Sequence, residues 1–223
     1  MNIIDVNELF HIYKGIVEIV ALNGISFSIK KNEKVAIVGK SGSGKTTLIY
    51  CLAGLIRPSA GTIVIDGKNL SKLTDEELCD HRLNTVGIVF QDGNLADALT
   101  VKENIELPLI LKKEPRETRN KRVMELAKAL EIERYLDTYP VLISGGERQR
   151  VAVAVALANN PPILLADEPT GNLDYDTSQV VYQLFKEIAN DFNTTMVIVS
   201  HDTEISKHVD RVIDLPHLKH IKQ

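Results

Sequence analysis

The run Gly39-Lys40-Ser41-Gly42-Ser43-Gly44-Lys45-Thr46 constrains this chain more than any other stretch. It follows Lys34-Val35-Ala36-Ile37-Val38, a short apolar β-branched run of the kind buried in a parallel sheet. It precedes Thr47–Leu55, which reads as a helix that Arg57-Pro58-Ser59-Ala60-Gly61 breaks. Glycines between a strand and a helix N-terminus let backbone N–H groups converge on phosphate oxygens, and the eight residues fit G-x-x-x-x-G-K-[S/T] in that context. Lys45 is expected to reach the β- and γ-phosphates of a nucleotide and Thr46 to ligate Mg²⁺.

The rest of the chain reads as strands alternating with helices. Strands are expected at Ala21–Ile29, at Gly61–Gly67 ending in an Asp-Gly turn, and at Val86–Phe90, Ile163–Ala166 and Thr195–Ser200. Val151–Ala158, stopped by Pro161-Pro162, and Asp176–Phe192 read as helices. Between Val101 and Tyr139 the pattern turns to charged amphipathic helices, with Leu107-Pro108 and Glu114-Pro115 marking turns or kinks. These alternations predict a mainly parallel α/β core with an inserted helical subdomain. At 223 residues and 44% hydrophobic content the chain suffices for one folded unit.

Composition narrows the partners. A net charge of −4 gives no basic stripe for DNA or RNA, so nucleic acid is not expected. Cys51 and Cys79 are too few for a disulfide framework or a zinc site, and read as plain core or surface thiols in a reducing compartment. The opening Met1-Asn2-Ile3-Ile4-Asp5-Val6 lacks a secretory pattern, and no window approaches the ~18 apolar residues of a spanning helix. The expectation is a cytosolic chain unless a partner holds it at a membrane.

Two further constellations carry chemistry. Asp167 ends the apolar strand Ile163–Ala166, where a carboxylate can reach Mg²⁺ from the neighbouring strand, and Glu168 follows as a candidate to orient or deprotonate an attacking water. Ser144-Gly145-Gly146-Glu147 offers a hydroxyl, amides and a helix dipole to a phosphate, a second phosphate-facing helix start that one nucleotide cradle does not need.

Taken together, Ser144-Gly145-Gly146-Glu147-Arg148-Gln149-Arg150, the glycine loop and Asp167-Glu168 closely resemble the motifs of ATP-binding-cassette (ABC) ATPases, and the resemblance covers essentially the whole chain. It implies an α/β fold: a P-loop NTPase core with a mainly parallel sheet, an antiparallel β subdomain and an inserted helical subdomain. In numbers, one domain spans 1–223, with its core at 1–91 and 160–223 and the helical subdomain with the signature helix at 92–159. The resemblance makes Gln91 the Q-loop glutamine contacting Mg²⁺ and water, His201 the switch histidine on the γ-phosphate, and Gly171-Asn172-Leu173-Asp174 the D-loop at a dimer interface. Tyr13 matches the aromatic that stacks on adenine. The implied catalytic set is Glu168, His201, Gln91 and Lys45; Mg²⁺ falls to Thr46, Gln91 and Asp167. ATP is held by Tyr13, by Gly39, Lys40, Ser41, Gly42, Ser43, Gly44, Lys45, Thr46 and Thr47, and by Ser144, Gly145, Gly146, Glu147 and Asp174.

ATP is thereby implied to join two copies head to tail, each nucleotide between Lys45 of one and Ser144 of the other, with hydrolysis parting them. The motion is implied to reach a separate integral-membrane permease near Gln91 and Asp92–Thr100, which would hold the chain on the inner face of the cell membrane. The stretch Phe90–Leu109 with Gly171–Asp174 looks most like the branch serving macrolide export, lipoprotein release, antimicrobial-peptide resistance and cell division. Regulation of a membrane partner without transport is the alternative within that branch. A DNA-repair or chromosome-organising ATPase would need a long coiled-coil insertion, for which Thr47–Ile143 is too short, and a small-molecule kinase has no use for the Ser144 motif.

Several positions depart from the family pattern. Ile143 and Glu147 replace the usual Leu and Gln, Val155 stands where an Arg is usual, and Asp214-Leu215-Pro216-His217 lacks the usual Asp-Gly turn. The histidines other than His201, including His208, His217 and His220, read as surface residues.

Overall fold

The computed structural model describes residues 1–171 and 173–215. Asn172, Pro216, His217 and His220 lie outside the described residues. In chain order the strands are β1 (Asn2–Tyr13), β2 (Ile19–Lys30), β3 (Lys34–Val38), β4 (Ala60–Ile65), β5 (Lys68–Asn69), β6 (Val86–Val89), β7 (Ile163–Asp167), β8 (Thr195–Ser200) and β9 (Arg211–Asp214). The helices are α1 (Lys45–Leu52), α2 (Asp75–Asn84), α3 (Val101–Leu111), α4 (Arg116–Ala129), α5 (Gly145–Leu157) and α6 (Tyr175–Asp191).

Two sheets form. One is antiparallel, with strand order β2-β1-β4-β5; the other is parallel, with order β6-β7-β8-β3-β9. The parallel strands are apolar at successive positions because both faces are covered, and their alternate residues feed two cores. Ile163, Leu165, Val197 and Val199 face α1 and the antiparallel sheet. Leu164, Ala166, Met196 and Ile198 face the cluster that contains Val151 and Leu157 of α5 and Val181 and Phe185 of α6. The helices α3 and α4 join that second cluster through Val101, Ile105, Val123 and Leu126.

Register sets the working edge of the molecule. Val38 pairs with Ser200 and Asp167 with Val199, so the carboxyl ends of β3, β7 and β8 open at one level. Open α/β sheets place ligands beyond such strand ends.

The strands β1, β5 and β9 and the helix α2 lie outside the strands and helices expected from the sequence. The strand β1 is broken in register between Val6, Leu9, His11 and Ile12, so its alternation is irregular. The strand β9 is short and partly exposed. The helix α2 begins at a capping box in which Thr74 accepts from the Glu77 N–H while Glu77 accepts from the Thr74 N–H. Pro115 caps α4, but Pro108 lies inside α3 rather than at a turn. The helix runs through it because Val101, Ile105 and Leu109 are buried along one face. His81, expected at the surface, is buried, with a ring nitrogen 3.2 Å from the Leu52 carbonyl; burial pushes its pKa down. Cys51 is buried, its thiol pushed up to about 12 by that burial, and Cys79 is exposed.

Candidate nucleotide-binding site

The loop after β3 turns into α1 at Gly44, whose φ of 90° is left-handed and where a β-carbon would sit 2.1 Å from the Ala21 carbonyl oxygen. Only glycine fits that approach. Lys45, 4% exposed, folds back along the loop and donates to the Gly39 carbonyl at 2.9 Å and the Lys40 carbonyl at 3.2 Å. Its ammonium lies 3.3 Å from Glu168 Oε1, and Glu168 Oε2 is 2.9 Å from His201 Nδ1. Glu168 itself is held at φ 45°, a left-handed backbone that a residue with a side chain seldom adopts outside functional sites.

Beside this cluster the Thr46 hydroxyl donates to Asp167 Oδ1 at 3.1 Å. Burial raises the Asp167 pKa; the Thr46 hydrogen bond opposes this, the Glu168 charge adds to it, and the Lys45 charge lowers it. Tyr13, 44% exposed, places its hydroxyl 3.2 Å from Thr47 Oγ1, so its ring stands at the mouth of the loop.

The donor set fits a Mg–nucleotide. Ser43 is 1% exposed, yet its hydroxyl lacks a hydrogen-bond partner, an orphan that a phosphate oxygen would satisfy. Among the described residues no cluster of three or more His, Cys, Asp or Glu could hold a metal by itself. One hydroxyl and one carboxylate are the donors expected for Mg²⁺, which is commonly held by one or two carboxylates together with substrate phosphates.

The second phosphate-facing motif lies elsewhere. Ser144 caps α5: its Oγ accepts from the Glu147 N–H at 3.3 Å, and Glu147 Oε2 accepts from the Ser144 N–H and hydroxyl, both at 2.8 Å. The Tyr135 hydroxyl donates to Glu147 Oε1, and Arg134 lies 3.6 Å from the same oxygen. These contacts, led by Tyr135, lower the Glu147 pKa. Ser144, Gly146 and Glu147 line a cavity of about 800 Å³ with Arg134, Tyr135 and Thr177, to which the Gly39–Thr46 loop contributes no residue. Sequence reading missed Tyr135 and Arg134, since nothing in their spacing connects them to a motif nine residues or more downstream.

Between the two places stand Gln91 and the segment after Glu168. Gln91 packs so closely on Gly171 that a β-carbon there would sit 2.9 Å from its Nε2. With Gly145, Gln149, Pro169 and Leu173 it lines a cavity of about 130 Å³, to which neither Thr46 nor Asp167 contributes. Asp174 caps α6, accepting from the Thr177 N–H at 3.0 Å, which lowers its pKa. Val155 is half-buried and lines a groove of about 330 Å³ with Arg82, Leu111 and Asn159.

The arrangement is shared with known proteins. The family described as "ABC transporter" matches residues 22–171. The ABC transporter ATP-binding protein MJ0796 of Methanocaldococcus jannaschii is 44% identical over 201 residues, covering 88% of this chain and 86% of its own. The lipoprotein-releasing system ATP-binding protein LolD of Blochmanniella floridana is 39% identical over 194 residues, covering 87% and 83%. A solved dimeric structure of MJ0796, in a post-hydrolysis state bound to ADP and Pi, superposes with a TM-score of 0.88 at 41% identity, over 96% of this chain and 94% of that one. The glycine loop, the acids at the end of β7 and the Ser144 helix start all fall within the matched residues 22–171, and this chain belongs to the ABC transporter family.

Proposed function

We propose that this chain is the ATP-binding and ATP-hydrolysing subunit of an ABC transporter, one domain over 1–223 with its core at 1–91 and 160–223 and a helical subdomain at 92–159. The observation that carries the reading is the convergence of Lys45, Thr46, Asp167, Glu168 and His201 at the ends of β3, β7 and β8, while Ser144 lies apart. A single protomer thus presents half of each of two sites. A head-to-tail pair places Ser144 of one copy over the phosphates held by Lys45 of the other, and the relative MJ0796 is dimeric with ADP and Pi bound.

Within a site, Lys45 leaves the Gly39 and Lys40 carbonyls to bind the β- and γ-phosphates, and Ser43 and the loop amides complete the cradle. Thr46 and Asp167 would hold Mg²⁺, whose charge would offset that of the phosphates, while Gln91, expected as a third ligand, lines a separate cavity. Glu168 orients and deprotonates the attacking water, and His201 bonds the γ-phosphate. Gln91, seated between the core and the start of α5, relays the state of the site to the helical subdomain.

The partner in this reading is a separate permease; among the described residues no helix is long and apolar enough to cross a membrane. Leu107, Ile110 and Leu111 expose 41%, 46% and 63% of their surface on α3, beside the groove lined by Arg82, Pro108 and Val155. Such an apolar ledge suits a short amphipathic segment of a membrane protein. Docked there, the chain lies on the inner face of the membrane, and its likeness to LolD favours the lipoprotein-release and macrolide-export branch.

Gel filtration tests the core of this reading. With Mg-free ATP, Glu168→Gln elutes as a dimer while Lys45→Ala loses nucleotide; a monomeric Glu168→Gln at saturating ATP overturns the sandwich. Copurification of the chain with an integral-membrane protein tests the permease.

A further inference from the structure

Among the buried polar groups of the described residues that none of the roles above uses, the Tyr182 hydroxyl stands beside the proposed site. Tyr182 on α6 is fully buried, among apolar neighbours where a phenylalanine would pack as well. A buried hydroxyl costs stability unless partnered, so its partners are informative. Thr170 Oγ1 donates to it at 2.6 Å; Ser200 Oγ lies at 3.3 Å, and the hydroxyl donates to Asp202 Oδ2 at 3.3 Å. A phenol has one proton and two lone pairs, and this set uses all three when Ser200 donates.

The partners come from two loops. Thr170 lies two residues beyond Glu168, within the turn closed by the Gly171 N–H on the Glu168 carbonyl at 3.0 Å. Ser200 and Asp202 flank His201 on either side. They are tied to each other as well, the Asp202 N–H donating to Ser200 Oγ at 3.0 Å, and Asp202 Oδ1 accepts from the Glu204 N–H at 2.9 Å. His201 is itself 58% exposed at its side chain, so packing does not fix the 2.9 Å contact it makes with Glu168. The loops beneath must fix it. Val181, Phe185 and Ile188 anchor α6 in the core, so the Tyr182 hydroxyl is a fixed point that both loops share.

We propose that Tyr182 is a positioning residue for ATP hydrolysis, whose hydroxyl ties the strand end bearing Glu168 to the strand end bearing His201. The inference rests on the hydrolytic reading above. It requires that loss of one oxygen slow the chemical step while leaving nucleotide binding, which belongs to the Gly39–Thr46 loop, in place.

Tyr182→Phe keeps the ring and removes the hydroxyl. Its kcat for ATP falls at least about tenfold, with KM and the Kd for ADP within about twofold of the parent protein. Amide hydrogen exchange speeds up together at 168–171 and 200–204. Thr170→Val, which cuts the link from the other loop, gives the same split between kcat and KM, and combining the two changes adds little further loss. The proposal is overturned by Tyr182→Phe turning over within twofold of the parent, by loss of nucleotide binding alongside turnover, or by exchange rising in one loop alone or in neither. A parent protein that hydrolyses no ATP would count against the function proposed above, and the exchange measurement would still decide the role of Tyr182.

Discussion

Lys45 and Glu168 form an ion pair at 3.3 Å between side chains that are 4% and 20% exposed, and the same carboxylate reaches His201 with its other oxygen. The lysine that a phosphate needs and the carboxylate that a water needs are thus engaged with each other. Under the function proposed above, a nucleotide that takes Lys45 separates them and frees Glu168 as the triphosphate arrives.

Removing the carboxylate charge therefore eases phosphate entry. Glu168→Gln is expected to bind ADP about fivefold more tightly than the parent, a gain of about 1 kcal/mol, modest because Glu168 retains contact with water. Calorimetric titration with ADP checks this without hydrolysis; equal or weaker binding would show that the pair does not compete with phosphate.

Close backbone approach makes Gly87, in β6, intolerant of a side chain. A β-carbon there would lie 2.2 Å from the Ala156 carbonyl oxygen and 3.0 Å from the Pro161 ring, so α5 would have to move off the sheet. Gly87→Ala is expected to cost about 3 kcal/mol in urea unfolding, the upper range for overpacking a rigid site. Gly42→Ala, with nothing within 4 Å of the added carbon but a φ of 77°, should cost about 1 kcal/mol from backbone strain alone. Similar midpoints for the two variants would refute the distinction.

What the sequence disclosed and what it hid have physical reasons. The strands β3, β7 and β8 were legible because burial on both faces makes them continuous apolar runs, and the phosphate loop because its chemistry is local. Helix α2 carried a readable signal, Thr74 three residues before Glu77, that went unread among surrounding charges. Tyr135 against Glu147 and Tyr182 against Thr170 were hidden, because each contact joins residues on separate elements and only folding brings them together. Glu147 departs from the usual glutamine, and its carboxylate closes the cap on Ser144, a contact that the substitution alone does not disclose.

Three helices start at capping boxes whose glutamates, Glu77, Glu103 and Glu147, all have lowered pKa values, the first two through the Thr74 and Thr100 N–H groups and the third through Tyr135. A carboxyl with a depressed folded pKa contributes stability that is present above its unfolded value, near ~4.3, and lost as pH falls through the folded value. The starts of α2, α3 and α5 should accordingly loosen in acid below about pH 4 and be insensitive to pH from about 6 to 8. Carboxyl-carbon NMR titration should find all three below ordinary glutamates, and Glu103→Gln should flatten the acid limb of the melting curve. A glutamate titrating in the ordinary range would mean its cap is open in solution.

Arg122 ties α4 to the end of α5. It is 7% exposed; its Nε and Nη2 donate to the Ala158 and Leu157 carbonyls at 3.2 and 2.7 Å, its Nη1 lies 2.9 Å from Glu125, and its guanidinium sits 4.9 Å over the Phe192 ring. Those carbonyls lie at the C-terminus of α5, where a cation is favoured, and the Leu157 carbonyl also accepts from the Asn160 N–H at 3.0 Å. Arg122→Ala strands the Ala158 carbonyl, weakens the bonding of the Leu157 carbonyl and removes the aliphatic stem, and is expected to cost about 3 kcal/mol. Arg122→Lys recovers little, because one ammonium cannot reproduce a planar fork over an aromatic face. Urea unfolding measures both variants. A lysine variant as stable as the parent would show that charge alone, not the fork geometry, secures α4 to α5.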